Sequence, residues 1–261
     1  MRIKFTSSVF CLLLSAFFII SCNKNEQLNK TAIGEYYPTL SGKYIIYRVD
    51  STVFTNFGRT TEIHRYRVKH VIDSLVTDNS GRPSYRVFRY INDSLGTGPW
   101  VPNGSYLVTP TKFAIEVIED NLRVIKLNWP AQAGNSWKGN RYLPTDPYGS
   151  LYSFSNDDNM ADWDFSYEDN EVDSVTIMNQ TYRNVVTVLQ DDESYNVPIT
   201  DPHSYAARSY GLEMYSKNIG MVFREFILWE QQPNPIGTPP NITYDPYRIG
   251  FGIKMWMIAH N

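Results

Sequence analysis

Hydrophobic and polar residues alternate with a period of two along most of the chain after residue 36. The alternation is clear in residues 44–49, 65–69 and 113–118, where Val, Ile, Tyr and Phe are frequent. A period of two places successive side chains on opposite faces of a strand, and these residue types favour strands. The same criteria predict further strands at residues 85–91, 122–127, 172–177, 183–189, 212–215, 221–229 and 248–259.

Gly, Pro, Asn and Asp separate these runs. Residues 78–81 (Asp-Asn-Ser-Gly) predict a hairpin loop, and Gly/Pro-rich connections are expected at 96–104, 144–148 and 233–246. One helical turn is expected within 198–210. No connection changes composition enough to indicate a linker between domains. We therefore predict an all-β fold, a single domain over residues 36–261, built as a long curved antiparallel sheet, half-barrel or sandwich-like.

The last predicted strand, 248–259, is too apolar to remain in solvent. We expect it to pair inside the sheet and to close the core, with Trp256 buried against neighbouring strands.

The amino terminus carries an export signal. Arg2 and Lys4 precede an apolar run at residues 9–20, which is too short to span a bilayer and has the length of a signal-peptide core. The run ends in Ile19-Ile20-Ser21-Cys22, which resembles the lipobox of bacterial lipoprotein precursors. The resemblance implies cleavage before Cys22 and acylation of its thiol. We expect a signal peptide at 1–21 and a polar, flexible tether at 22–35.

Acylation at Cys22 would decide the location of the chain. Two or more acyl chains hold a protein stably on a membrane. Lys24 departs from the aspartate that retains some lipoproteins in the inner membrane, so by analogy we expect an outer-membrane address in the cell envelope. The other cysteine, Cys11, leaves with the signal, and no disulfide is expected.

Charge argues against nucleic acid as a partner. The chain has 24 basic and 27 acidic residues, a net charge of −3, whereas proteins that track phosphates are basic. Arg65, Arg67 and Lys69 cluster in one predicted strand, which we interpret as a solvated face.

Aromatic residues make up 15% of the chain, and exposed rings stack on sugars or anchor protein partners. Four aromatic residues in predicted loops are candidates for surface stacking: Trp100, Tyr142, Tyr148 and Tyr244.

The residues indicate neither a metal site nor a cofactor site. The acidic residues of segment 156–164 suggest a calcium site. However, Met160 and Ala161 occupy positions where an EF-hand needs oxygen ligands and a glycine. His64 and His70 lie about 20 Å apart along one strand and cannot share a zinc ion. No Gly-x-Ser-x-Gly elbow exists. Carboxylate pairs at 168–169 and 191–193 leave a hydrolase as an alternative, but we expect no enzyme.

Three short stretches carry a family resemblance. Residues 40–44 (LSGKY), 133–137 (AGNSW) and 215–222 (YSKNIGMV) resemble recurrent elements of uncharacterised lipoproteins of Bacteroidota. The resemblance implies a long curved antiparallel sheet and no activity.

A second resemblance concerns modification. Four Asp-Ser pairs, each followed by a methyl-bearing residue, resemble the O-glycosylation acceptor of Bacteroidota exported proteins, and their serines are Ser51, Ser74, Ser94 and Ser174. An aspartate and serine in sequence also bond to their own backbone, which is the competing interpretation.

Two functions remain open at this point. The chain is either a non-enzymatic envelope protein that presents a sheet surface to a protein or glycan partner, or a carrier of a lipid or other hydrophobic ligand in a half-barrel pocket. A solvent-reaching apolar cavity would favour the carrier function. A filled core would favour the protein that presents its sheet surface to a partner.

Overall fold

The computed structural model describes residues 33–155 and 160–261. These residues form fifteen β-strands and two short 3₁₀ turns, Ile33–Tyr36 and Met160–Asp162. The strands are β1 (Tyr44–Thr55), β2 (Thr60–Thr77), β3 (Pro83–Asp93), β4 (Val101–Pro110), β5 (Ala114–Glu119), β6 (Leu122–Asn128), β7 (Ser136–Lys138), β8 (Asp164–Tyr167), β9 (Val172–Ile177), β10 (Gln180–Tyr195), β11 (Ala206–Ser216), β12 (Gly220–Gln232), β13 (Pro235–Thr238), β14 (Asn241–Tyr244) and β15 (Tyr247–His260).

Thirteen strands form one antiparallel sheet. Its order is β6-β5-β4-β3-β2-β1-β15-β12-β11-β10-β8-β7, and β9 pairs with β10 beside this path. β13 and β14 form a separate hairpin. The large sheet is nearly closed into a barrel and forms a single domain, which confirms the predicted all-β class.

The two edge strands of the sheet, β6 and β7, approach each other and nearly close it. The amide of Ile125 on β6 donates to the carbonyl of Gly139 just after β7, at 2.8 Å. The indole of Trp137 on β7 donates to the carbonyl of Ile125 at 2.9 Å. A side chain at position 139 would collide with the ring of Phe165, since a Cβ there would lie 2.4 Å from it. Glycine therefore permits this close approach of backbone and ring.

Strands 1, 2, 3, 5, 6, 9, 10, 11, 12 and 15 confirm the predicted strands. The Asp78 loop is confirmed as well, because the Asp78 carboxylate accepts the backbone amides of Ser80 and Arg82 at 2.9 and 2.8 Å. The first four residues of β4 and the whole β13–β14 hairpin lie within the connections that the sequence predicts at 96–104 and 233–246. Their sequences contain Pro, Gly and Asn, but backbone pairing with a neighbouring strand does not require apolar side chains.

The expected helical turn within 198–210 is wrong. Residues 202–204 make a tight turn, and β11 already begins at Ala206. The amide of Ser204 donates to the carbonyl of Asp201 at 3.1 Å. The Asp201 carboxylate accepts the His203 amide, so side-chain bonding fixes a turn here and no helix follows.

The carboxy-terminal strand occupies the middle of the sheet. β15 pairs with β1 on one side and β12 on the other, as expected. The burial of Trp256 was predicted incorrectly, because the register turns Met255 and Met257 inward and leaves Trp256 half-buried on the outer face. There its ring packs against Phe223, and the guanidinium of Arg48 lies 5.3 Å from the ring centroid.

The described residues begin at Ile33, upstream of the predicted start of the β domain at residue 36. Ile33 is buried in the main hydrophobic core, and the carbonyl of Glu35 accepts the Asn218 amide at 2.7 Å. The predicted signal, Cys22 and most of the tether lie outside the described residues. Among the described residues, no helix has the length and apolar character needed to cross a membrane.

Candidate functional site

A cavity of about 220 Å³ lies inside the sheet. Strands β1, β2, β3, β5, β12 and β15 contribute apolar side chains to its walls. Its apolar walls are formed by Ile45, Val49, Val68, Ile72, Val87, Val117, Ile219, Met221, Ile253 and Met255. The exposed Asn103 and the half-buried Lys43 also line it, so the cavity reaches solvent at this rim.

A buried carboxylate lies within these apolar walls. Glu213 on β11 is 1% exposed, and its Oε1 lies 2.7 Å from Nζ of Lys126 on β6. Its Oε2 accepts a hydrogen bond from the Tyr215 hydroxyl at 2.6 Å. Nε of Arg224 on β12 lies 3.4 Å from the same Oε1. One carboxylate thus faces two cations.

The ionised state of this cluster follows from those contacts. Burial alone would raise the pKa of Glu213, but the charges of Lys126 and Arg224 and the hydrogen bonds to Lys126 and Tyr215 hold that pKa below its usual range. Burial lowers the pKa of Lys126, against the attraction of Glu213. These contacts therefore favour the ionised carboxylate of Glu213.

A second charged pair lines the same cavity. Nη1 of Arg89 on β3 bonds to the carboxylate of Glu119 on β5, and Nη2 lies 3.9 Å from Asp120. His70 on β2 is the cross-strand neighbour of Arg89, and its Nδ1 lies 3.1 Å from the Tyr106 hydroxyl. Burial, together with the charges of Arg89 and Arg224, lowers the pKa of His70 to about 3. His70 is accordingly neutral near pH 7 and adds no charge.

Among the described residues that line the interior, three cations (Lys126, Arg89 and Arg224) face two carboxylates (Glu119 and Glu213). Lys43 lies at the rim, where its ammonium group donates to the carbonyls of Asn218 and Asn261. The interior therefore has one positive charge in excess within mainly apolar walls.

The candidate stacking residues are scattered. Tyr142 is 48% exposed with Arg141 over its ring, and Tyr244 is 43% exposed and stacks on His203 at 4.6 Å. Trp100 is half-buried before β4. Tyr148 differs from the expectation of a free surface ring, because it packs against Phe226 and Phe251 beside the core. The structure brings no two of these four together.

The Asp-Ser serines lie at different kinds of position. Ser174 is exposed on β9 and Ser94 is exposed in the turn after β3, whereas Ser51 and Ser74 are half-buried in strands. Asp93 accepts the backbone amides of residues 95 to 98, and Ser74 Oγ donates to Asp73. Local bonding accounts for these two aspartates, and glycosylation at the four serines remains a prediction.

The acidic segments do not converge. Residues 156–159 of the calcium candidate lie outside the described residues, and Asp162 and Asp164 are exposed. Within the described part of the chain, no three His, Cys, Asp or Glu side chains are grouped to hold a metal. The carboxylates at 168–169 and 191–193 do not line the cavity. His64 is exposed and bonds to Glu62, while His70 points inward.

Sequence reasoning missed Lys126, Glu213 and Arg224. Each stands in an apolar strand pattern, and Glu213 shares its face with the buried Tyr215. A charged residue in phase with an inward-facing aromatic residue was the available signal. The sequence pattern does not show that β6 lies opposite β11 across the interior. Only the contact between Lys126 and Glu213 reveals the cluster.

Comparisons with known proteins give low similarity. No family model matches the chain, and no curated protein matches it. A solved structure from Parabacteroides distasonis, assigned as a lipoprotein, is 11% identical with a TM-score of 0.40, covering 87% of this chain and 98% of that one. An assigned exported protein with a YmcC-like fold from Bacteroides fragilis is 10% identical with a TM-score of 0.36, covering 86% and 97%. These values establish no family.

Proposed function

We propose that the domain binds a hydrophobic small molecule in the interior cavity and serves as its carrier or receptor at the cell envelope. The observation that carries this proposal is the solvent-reaching cavity itself, with walls of Ile, Val and Met. If the sheet served only through its outer surface, we would expect a close-packed core, because protein interiors have few voids larger than a water molecule.

The size of the cavity supports a small occupant. An apolar cavity of about 150 Å³ stays dry and binds benzene, and the cavity here, at about 220 Å³, is larger. Burial of an apolar ligand contributes about 25 cal/mol per Å² of surface removed from water. A short alkyl chain or a ring of comparable size fits these values.

The envelope location rests on the amino-terminal sequence. The apolar run 9–20 and Cys22 resemble a lipoprotein signal, and two of the similar solved structures are assigned as exported or as lipoprotein. A lipid anchor at Cys22 would hold the cavity near a membrane, from which hydrophobic molecules could be received.

Binding of an uncharged fluorescent probe tests the proposal. The full chain carrying Cys22→Ser, exported and purified without detergent, is titrated with N-phenyl-1-naphthylamine. We expect saturable fluorescence enhancement with one site per chain. A Val87→Trp variant, which places a large ring in the wall of the cavity, should reduce the enhancement. A Val101→Trp variant, at an exposed position on β4, is the control. Equal enhancement in both variants, or none in the parent, would refute the carrier function.

A partner for the outer surface is the second candidate. The β13–β14 hairpin exposes Ile236, Ile242 and Tyr244 at 50%, 40% and 43%, and exposed apolar groups of this kind anchor protein or glycan partners. Crosslinking in intact membranes with a photoreactive residue at position 242 tests it. A specific crosslinked species that disappears when position 101 carries the photoreactive residue would support this function.

A further inference from the structure

We propose that the ligand is an amphiphile with a single negative charge, a monocarboxylate with an alkyl chain, whose head group is bound by Arg224. This inference rests on the proposed function and names the class of ligand for the same cavity. It depends on the charges inside the apolar walls and on which of them lack a protein partner.

Nε of Arg89 and Nε of Arg224 are both buried without a hydrogen-bond partner. Arg89 is nevertheless held through Nη1 by the carboxylate of Glu119, so the less completely bonded guanidinium is that of Arg224. Its ion pair with Glu213 is long, at 3.4 Å, and its side chain is 22% exposed to the cavity side. A buried guanidinium normally satisfies its donors, since a buried donor without a partner has lost its hydrogen bonds to water and gained none in return. Because Arg224 lines the cavity, its guanidinium is the group to which an acceptor from a ligand can bond.

The other two interior cations already have closer acceptors. Lys126 bonds to Glu213 at 2.7 Å, and Arg89 bonds to Glu119. Glu213 is further occupied by the hydroxyl of Tyr215. Two carboxylates thus neutralise two cations, and the charge in excess belongs to Arg224.

The chemistry of the head group follows from this count. A planar guanidinium matches the two oxygens of a carboxylate in a bidentate pair. One excess positive charge balances one negative charge. A head group with two negative charges would be repelled by Glu119 and Glu213 in a medium where charges are poorly screened. The walls of Ile, Val and Met then require that the rest of the ligand be apolar.

Competition against the neutral probe tests the inference with matched ligands. Decanoate, 1-decanol and decyl phosphate share the chain and differ in the head group. In the Cys22→Ser chain at pH 7.5, we expect decanoate to displace N-phenyl-1-naphthylamine at a concentration at least about tenfold below that of 1-decanol, which corresponds to one charged hydrogen-bonded pair. Decyl phosphate, with nearly two charges, should displace it more weakly than decanoate does.

Two variants assign the effect to Arg224. Arg224→Met should abolish the preference for decanoate, so that decanoate and 1-decanol displace the probe at similar concentrations. The Lys126–Glu213 pair remains in this variant and keeps the fold. Arg224→Lys should retain part of the preference. Arg48→Met, on the outer face beside Asp50, is the control and should behave as the parent.

The outcomes separate the two proposals. Absence of probe binding in the parent refutes the carrier function itself. Probe binding with equal displacement by decanoate and 1-decanol overturns the anionic ligand and leaves the carrier function intact. A preference for decanoate that survives Arg224→Met, or a stronger displacement by decyl phosphate, also overturns the inference. Circular dichroism of each variant confirms that the sheet is retained.

Discussion

The ammonium group of Lys126 and the carboxylate of Glu213 meet at 2.7 Å, although 87 positions separate them in the sequence. Lys126 lies on the edge strand β6 and Glu213 on β11, which are not neighbours in the sheet. Their contact crosses the interior and exists because the two edges of the sheet come together at Ile125 and Gly139. The charged centre of the cavity is therefore a consequence of closure.

Removal of the Glu213 carboxylate should destabilise the domain. Glu213→Gln leaves Lys126 and Arg224 buried without a counter-charge, and breaking a buried pair costs about 3–5 kcal/mol. Urea unfolding should show this loss. The double variant Glu213→Leu with Lys126→Met should recover part of it.

Because the folded pKa of Glu213 lies below 4.5, its stabilisation is present above pH 4.5 and lost as the pH falls further. Unchanged unfolding of Glu213→Gln would contradict this account.

Stability should also fall with acid because of His70. Burial lowers its folded pKa to about 3, from an ordinary value of 6.5. The unfolded chain takes up a proton as the pH falls below 6.5, and the folded chain does not until about pH 3. Stability is thus full above pH 6.5 and decreases by up to about 1.4 kcal/mol per pH unit below it. Urea midpoints between pH 7.5 and 4.5 measure this slope. His70→Gln should flatten it, and His64→Gln, at an exposed site, should not.

Closure of the sheet depends on the indole of Trp137. Trp137→Phe removes the hydrogen bond to the Ile125 carbonyl and should lower the free energy of unfolding by about 1–3 kcal/mol. Trp256→Phe on the outer face is the matched control and should change it by less than about 1 kcal/mol. Chemical denaturation of both variants gives the comparison. An equal loss in the two would mean that the edge contact contributes nothing specific.

Deletion of residues 248–261 should abolish cooperative folding. β15 pairs with β1 and β12 along most of its length. Its loss therefore divides the sheet and exposes the core residues that pack against Met255 and Met257. Circular dichroism and a thermal melt of the shortened chain provide the test. A cooperative transition in the shortened chain would show that β1 and β12 can pair without it.

Cys22→Ser should release the chain from membranes. A clickable fatty acid should label the wild-type chain and not the variant, because the serine hydroxyl does not replace the thiol in acylation. Membrane fractionation provides the second measurement. Label retained by the variant would show that the chain is anchored elsewhere or by other means.

The sequence by itself determined the local structure of this protein. Alternation with a period of two in runs such as 44–49 and 221–229 predicted strands, because side-chain direction along a strand depends only on position. Glycine, asparagine and aspartate marked the loop at 78–81 for the same local reason. The opening residues of β4 and the whole of β13 and β14 were not predicted as strands, since their side chains are exposed and backbone pairing holds them.

Tertiary structure decided which faces point inward and what they meet. Two adjacent aromatic or apolar positions, such as Trp256 and Met257, are equally suited to the core, and only the register with β1 and β12 turned Met257 in and Trp256 out. Likewise Lys126, Glu213 and Arg224 become one cluster only after closure. Contacts between strands distant in sequence depend on the order of the whole sheet, which no local pattern encodes.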